Sequence, residues 1–239
     1  AYFTDEKIME TWAQCEAHGI NTMIFNPRDQ HAVEVFRRYR ARGGTIQFLA
    51  QVSPPQKDML TAIKRAIDLG AVGLLLHGDV GDRWTRDGSL DQVGKFLEGV
   101  KAQGVIAGMA AHELSSVMAV EKAGLKPDFY MKTFHSTNYW STRRPDQMQE
   151  VIDNYGIDNY WCRDPQGTLR FFQELERPWI AYKVLAAGAI HPKAGFQFAF
   201  ENGADFCAVG IFDFQIAEDV ALANQVLAAT RNRERAWIA

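Results

Sequence analysis

The sequence predicts an α/β fold, a TIM-type (β/α)8 barrel, from two observations. An amphipathic run that ends in glycine and is followed by a short apolar, β-rich run recurs about every 20 to 30 residues. The apolar runs are continuous, which is typical of strands that are buried on both faces of a parallel sheet. The length of 239 residues is close to the roughly 250 residues of one such barrel. We therefore expect a single domain over residues 1–239.

Seven apolar runs define the strands in chain order, with a helix before the first and after the last. The predicted strands start near Asn21, Thr45, Ala71, Val105, Asp128, Trp179 and Asp205. Glycine precedes most of them, because glycine readily adopts the left-handed conformation that ends a helix. A (β/α)8 barrel begins with a strand, so we expect the first strand to lie before Ala1. An open doubly wound sheet is the alternative, although no GxGxxG motif follows an early strand.

Two segments interrupt this regular pattern. Residues 135–166 are too long and too rich in aromatic and turn-forming residues for a simple strand-to-helix connection. We interpret them as a lid over the substrate; the alternative is a surface excursion that covers its own aromatic side chains. The segment HGDVGDRWTRDG, which begins at His77, carries three aspartates that we interpret as solvated turn residues.

Composition excludes several classes of partner. The chain has 26 basic and 29 acidic residues, and a net charge of −3 provides no field that would attract nucleic acid or an anionic membrane. No apolar run reaches the 18 residues typical of a membrane span. Cys15, Cys162 and Cys207 are widely separated, which is typical of a reducing compartment. We expect a cytoplasmic protein with a small-molecule carbonyl or sugar substrate, which could form a homo-oligomer through its apolar last helix.

Polar residues at the carboxyl ends of the predicted strands form the candidate site. In this fold the carboxyl ends of all strands meet at one mouth, where barrel enzymes carry out their chemistry. Asn26, Gln51, Trp140 and Arg143 are the candidate contacts to substrate. The other polar residues at or just after strand ends are His77, His112, Glu113, Lys132, His135, Lys183 and Asp213.

Lys132 and Lys183 each lie within an apolar strand. Burial disfavours the ammonium form, and a second cation nearby disfavours it further, so one amine could be free to attack a carbonyl group. The alternatives are that the lysines bind an anionic substrate or pair with Asp213 or Glu113. A small-residue segment follows Lys183, and the backbone amides at Gly188, Ala189 and Gly210 could bind a phosphate; tight turns without a ligand are the alternative.

Two segments resemble class I deoxyribose-phosphate aldolase, an aldolase-type TIM barrel. PDFYMKTF is similar to the strand segment in which that family carries its Schiff-base lysine, and AYKVLAAGAI resembles the segment with a second lysine before the phosphate loop. The resemblance implies Lys132 as the Schiff-base lysine, with Lys183 lowering its pKa. It covers about a third of the chain, and residues 135–166 are foreign to the family. The whole sequence also resembles a group of uncharacterised bacterial barrels, which implies a fold and no function.

Three functions follow from these candidates. The first is a lyase of the aldolase type that acts on a sugar or sugar-phosphate carbonyl without a cofactor, with Lys132 as nucleophile and His112, His135 or Glu113 moving protons. The second is a metal-dependent sugar isomerase, epimerase or hydrolase, in which His77, His112 and Asp213 hold a divalent ion. The third is a non-catalytic sugar-binding barrel.

Overall fold

The computed structural model describes residues 2–144 and 161–238, in which helices alternate with parallel strands. The strands are β1 (Thr22–Phe25), β2 (Gln47–Val52), β3 (Gly73–Leu76), β4 (Ile106–Ala111), β5 (Phe129–Thr133), β6 (Trp179–Tyr182) and β7 (Phe206–Ala208). The helices are α1 (Asp5–Ala17), α2 (Gln30–Ala41), α3 (Met59–Asp68), α4 (Gly78–Arg86), α5 (Leu90–Lys101), α6 (Leu114–Lys122), α7 (Pro165–Glu174), α8 (Pro192–Glu201) and α9 (Ile216–Ala229).

The strands form one sheet in the order β1 to β7, and every neighbouring pair is parallel. Each strand starts within two residues of its predicted position, and the seven strands curve into a nearly closed barrel. Helix α1 packs on α2 and also contacts the turn that follows β7, where Lys7 forms an ion pair with Asp213 at 2.7 Å. The predicted TIM-type fold is therefore confirmed.

Side chains alternate along each strand between an inner and an outer core. The inner cluster draws Leu49, Leu75, Ala110, Met131 and Ile180 from successive strands. The outer cluster contains the residues between them and packs against the helices, as expected for the two-residue period of a strand. Side chains that continue the inner series beyond a strand end therefore point into the mouth of the barrel.

Helix α7 begins within the last two residues of the predicted insertion over 135–166. The Asp164 carboxylate accepts a hydrogen bond from the Gly167 backbone N–H at 2.7 Å, and Pro165 occupies the first turn, where its missing N–H has no effect on the helix. The predicted insertion over 135–166 therefore overlaps α7 by two residues. Residues 145–160 of that insertion lie outside the described residues, and its role as a lid stays a prediction.

The amino ends of the strands are closed by the segment that follows α9. Asp205, just before β7, is buried and forms ion pairs at 2.9 Å with both Arg233 and Arg235. Its carboxylate also accepts the backbone N–H groups of Trp179 and Ile238 at 3.0 Å. Over residues 2–144 and 161–238, no helix combines the length and apolarity that a bilayer crossing requires.

Candidate functional site

Asp82 of α4 fixes His112 at the end of β4. Its carboxylate, only 2% exposed, accepts hydrogen bonds from the backbone N–H of His112 at 2.8 Å and from the ring Nδ1 at 2.9 Å. It also accepts the Glu113 N–H at 3.3 Å and the Ser116 hydroxyl at 2.7 Å. Because Nδ1–H donates to the carboxylate, the neutral ring carries its lone pair on Nε2, which is the tautomer of a proton acceptor.

Burial and charge keep His112 neutral. The ring is 5% exposed, and burial is the main cause that lowers its pKa; the charges of Lys183 and Lys132 lower it further. The hydrogen bond and charge of Asp82 act in the opposite direction and do not reverse the shift. A histidine held neutral near pH 7 is suited to accept a proton from a substrate.

A second histidine is held by the same helix. The ring Nδ1 of His77, after β3, hydrogen-bonds to Asp79, and Asp79 forms an ion pair with Arg83 at 2.9 Å. Burial alone raises the pKa of Asp79, but the His77 hydrogen bond and the charges of His77 and Arg83 together hold it below its ordinary value. Helix α4 therefore supplies one carboxylate to each of two histidines on neighbouring strands.

Gly78 brings three strand ends together. A Cβ at this position would lie 2.8 Å from Cε1 of His112 and 3.0 Å from the hydroxyl of Tyr182. Tyr182 is the last residue of β6, and its side chain packs against the inner cluster. The His112 and Tyr182 ring centroids are 5.7 Å apart. Any larger residue at position 78 would displace both rings, so glycine is required for this packing.

Lys183 leaves β6 through a strained turn. Its φ is +61°, and Ala186 and Ala187 also have positive φ, of +45° and +55°. Residues other than glycine rarely adopt this region, and such strain is concentrated at functional sites. The Lys183 amine lies 5.6 Å from the Tyr182 ring centroid, and its charge acts on His112. Lys183 is therefore a cation at the mouth.

Lys132 lies on the other side of the barrel wall. It continues the outer series of β5 after Tyr130, whereas Met131 belongs to the inner cluster. Its amine is buried, with 1% of the residue exposed, and donates to the backbone carbonyl of Thr133 at 2.8 Å. It lines a cavity of about 360 Å³ between the strands and helices α6 and α7. The lysine implied as the Schiff-base nucleophile thus lies outside the inner ring, although His112 and Glu113 line the same cavity.

His135 is held by backbone on both sides of its ring. Nδ1 donates to the carbonyl of Ser136 at 2.8 Å, and Nε2 accepts the backbone N–H of Cys162 at 2.8 Å. These contacts join the two described parts of the chain across residues 145–160. Because both ring nitrogens are occupied by backbone groups, this geometry favours a positioning role over the predicted proton transfer.

The predicted metal ligands are not assembled. Asp213 binds Lys7 and the Tyr2 hydroxyl beside α1, whereas His77 and His112 are bound by the carboxylates of α4. In the described residues no group of three histidine, cysteine, aspartate or glutamate side chains is arranged to hold a metal ion. The set His77, His112 and Asp213 is therefore divided between two places in the fold.

The backbone N–H groups of the predicted phosphate loop donate to carbonyl groups of the same turn. Gly188 N–H donates to the Leu185 carbonyl at 2.9 Å, and Ala189 N–H donates to the Ala186 carbonyl at 3.1 Å. These bonds do not favour a phosphate at this turn. A Cβ at Gly210 would meet nothing within 4 Å, so backbone there is open to approach.

The predicted substrate contacts are dispersed. Gln51 continues the inner series of β2, and the Asn26 amide donates to the Ser53 hydroxyl at 3.4 Å near the mouth. Trp140 is 87% exposed, and the Arg143 guanidinium lies 5.0 Å from the Trp161 ring centroid. Gln51 and Asn26 are thus at strand ends, whereas Trp140 and Arg143 belong to the segment after β5.

Sequence reasoning missed Asp79 and Asp82. Both were interpreted as solvated turn residues, but they lie in α4 and are buried. The missed signal was the position of two aspartates two and five residues after a strand-end histidine. Tyr182 and Arg163, which lie beside His112 and Glu113, gave no such signal because their neighbours are distant in sequence.

Among the comparisons with known proteins, only the comparison with solved structures finds matches. No family model and no curated protein match the chain. A candidate aldo-keto reductase of Pseudomonas aeruginosa, PA4992, is 18% identical with a TM-score of 0.67 and matches 94% of this chain and 86% of its own. The apo form of Gox0644 is 11% identical with a TM-score of 0.58, covering 98% of this chain and 89% of its own.

The carboxylase/oxygenase Rubisco of Pyrococcus horikoshii is 12% identical, with a TM-score of 0.52 over 95% of this chain, which spans 59% of that protein. None of these three is described as a deoxyribose-phosphate aldolase. At such low identities the likeness shows the fold alone, and the chain shares the fold of TIM barrels.

Proposed function

We propose that this protein is a small-molecule enzyme that moves a proton at the carbon beside a carbonyl group, in a sugar or sugar-phosphate substrate. The observation that carries the proposal is the pair of histidine–aspartate contacts made by α4, His77 with Asp79 and His112 with Asp82. Two imidazoles on adjacent strand ends, each with Nδ1 held by a carboxylate, provide at Nε2 a proton acceptor when neutral and a proton donor when protonated.

The reaction uses these residues in order. Nε2 of His112 takes the proton from the carbon beside the carbonyl, and the electron pair of the C–H bond moves to the carbonyl oxygen. The Lys183 ammonium balances the charge of the enolate that forms. Return of a proton from His77 to the other face of the same carbon gives an epimer. Return to the neighbouring carbon, with the hydroxyl proton moving to the other oxygen, gives an isomer.

An aldolase-type lyase is the second candidate, and the position of Lys183 favours it. The Lys183 amine lies 5.6 Å from the Tyr182 ring centroid at the mouth, whereas Lys132 faces the helices. The Lys183 amine adds to the carbonyl and water leaves. His112 then removes a hydroxyl proton of the substrate as the carbon–carbon bond breaks. The electron pair of that bond moves toward the iminium nitrogen and forms an enamine. Protonation of the enamine carbon and hydrolysis release the second product.

Incubation in D₂O tests the proposal. Purified protein is mixed with small aldoses, ketoses and their phosphate esters, and deuterium at carbon is followed by proton NMR. We expect exchange that falls by about 10²-fold or more in His112→Gln and by about 10- to 100-fold in Asp82→Asn. His18→Gln, at an exposed helix end, is the control and should leave exchange unchanged.

The same samples distinguish the two candidates. Borohydride is added, and the intact mass is measured with peptide mapping. A reduced adduct on Lys183 that disappears in Lys183→Met supports the lyase. Exchange without an adduct supports the epimerase or isomerase, and exchange that survives in His112→Gln contradicts both.

A further inference from the structure

We propose that the cavity between β5 and helices α6 and α7 is a subsite for an oxyanion, a phosphate or carboxylate group of the substrate, with Lys132 as its principal ligand. The binding claim stands on the cavity itself, and only the statement that the oxyanion belongs to the substrate rests on the proposed function. Neither the aldolase resemblance nor the predicted loop at Gly188 places an anion here.

The first observation is a buried ammonium group without a carboxylate. Lys132 is 1% exposed, and the Thr133 carbonyl is its hydrogen-bond acceptor. In residues 2–144 and 161–238 no carboxylate lies within ion-pair distance of this amine. An ammonium has three donors and retains its charge in a protein interior only when it is paired, so the remaining donors of Lys132 call for a negatively charged acceptor.

The second observation is that the cavity holds more donors for an anion. Arg163 lines it, and its guanidinium provides a fork of N–H groups that matches a carboxylate or phosphate. The nine-residue helix α6 begins at the cavity, and Leu114 and Ser115 of its first turn are lining residues. The N-cap residue Glu113 makes no capping bond with its side chain, but the Asp82 carboxylate accepts its backbone N–H at 3.3 Å, so the helix end adds little to Lys132 and Arg163.

Two carboxylates also line the cavity, and each has a partner. Asp164 caps α7 by accepting the Gly167 N–H at 2.7 Å. Glu113 lies 3.4 Å from the Arg163 guanidinium. Because this contact is long and the guanidinium has five N–H donors, Arg163 can bind a ligand as well. The two cations and two carboxylates of the lining balance in charge, but among the described residues Arg163 has an ion pair and Lys132 has none. The buried Lys132 amine, with donors left beyond its bond to the Thr133 carbonyl, therefore favours an oxyanion at its end of the cavity.

The position of His112 connects this subsite with the mouth. His112 lines the cavity, and its ring also contacts Gly78 and Tyr182 on the inner side of the barrel. A ligand whose oxyanion binds at Lys132 therefore extends toward His112. A volume of about 360 Å³ is within the range of small-molecule sites. The substrate class that fits is a small carbonyl compound with a phosphate or carboxylate group.

Thermal unfolding of the full chain with inorganic phosphate or acetate tests the subsite, at constant ionic strength set with sodium chloride. We expect a saturable rise in Tm with one of the two anions, since a ligand that binds the folded state stabilises it. The anion that acts identifies the group as phosphate or carboxylate. Lys132→Met should weaken the apparent affinity at least tenfold, whereas Lys122→Met, at an exposed position of α6, should leave it unchanged.

Arg163→Gln provides a second variant in case Lys132→Met does not fold, and Arg170→Gln on α7 is its exposed control. Arg163→Gln should also weaken binding at least tenfold. The absence of a saturable shift with either anion, or equal affinity in the wild type and Arg163→Gln, would overturn the proposal. Saturable anion binding without deuterium exchange at any substrate carbon would retain the subsite and reject the proposed reaction.

Discussion

Burial and two nearby lysines disfavour the protonated form of the His112 imidazole. Its pKa lies below the ordinary 6.5, first because of burial and then because of the charges of Lys183 and Lys132. The unfolded chain therefore binds a proton at a higher pH than the folded chain does. Folded-state stability from this residue is present above pH 6.5 and is lost as the pH falls from 6.5 toward the folded pKa.

We therefore expect a histidine-dependent loss of stability in weak acid. Between pH 6.5 and pH 5.5, the free energy of unfolding of the wild type should fall by up to about 1 kcal/mol more than that of His112→Gln. Urea unfolding at pH 7.5, 6.5 and 5.5 measures this difference in slope. Paired carboxylates titrate at lower pH and do not interfere. Equal slopes in the two proteins would show that His112 is not kept neutral by the fold.

The turn after β6 is a short element whose conformation conflicts with its sequence. Ala187 has φ of +55° and ψ of +33°, the left-handed region that a β-carbon disfavours, within the 3₁₀ turn Ala186–Gly188. Ala189, two residues later, has φ of −77° and ψ of −18°, an ordinary right-handed conformation. Two nearby alanines therefore have different backbone conformations. Ala187, four residues after Lys183, is in a region that alanine disfavours, whereas Ala189 is in one that it favours.

Substituting each of these alanines by glycine tests that strain. Ala187→Gly should raise the free energy of unfolding by about 0.5 kcal/mol, because relief of the left-handed conformation outweighs the entropy that glycine adds to the unfolded chain. Ala189→Gly is the matched control and should lower it by about 0.5–1 kcal/mol. Urea unfolding compares both variants with the wild type. A loss of stability in Ala187→Gly equal to that in Ala189→Gly contradicts the strain argument.

Across the molecule, stability and the candidate chemistry lie at opposite ends of the barrel. Asp205 joins β7, β6 and the segment after α9 at the amino ends of the strands, through Arg233, Arg235 and two backbone N–H groups. The histidine–aspartate contacts lie at the carboxyl ends. This division is general for barrels, because the loops at one end can vary while the other end is packed.

Removal of the Asp205 carboxylate should destabilise the whole barrel. Asp205→Ala leaves two buried guanidinium groups without their counter-ion and should lower the free energy of unfolding by about 3–5 kcal/mol. Asp91→Ala removes an exposed partner of Lys95 and should leave the unfolding midpoint unchanged. Chemical denaturation measures both variants. A loss below about 1 kcal/mol for Asp205→Ala would mean that the tail does not hold the amino ends together.

The fold was readable from the chain because its signals are local. Each apolar run and each helix-ending glycine lies within a few residues of the element that it marks, as at Gly104 before β4 and Gly203 before β7. The position of the candidate site was predicted from the same signals. A parallel barrel brings strand ends together whatever their sequence separation, so His77, His112 and Lys183 were candidates before any contact was known.

Contacts between distant segments were decided by the tertiary structure alone. Asp82 and His112 are thirty positions apart, and the sequence does not show that helix α4 carries the carboxylate toward that ring. The side of the wall that Lys132 faces also depends on strand register, in which a shift of one residue reverses the direction of a side chain. The sequence thus determined the barrel and its mouth, through local periodicity. Packing decided which side chains meet there, because burial and hydrogen bonding act across the whole chain.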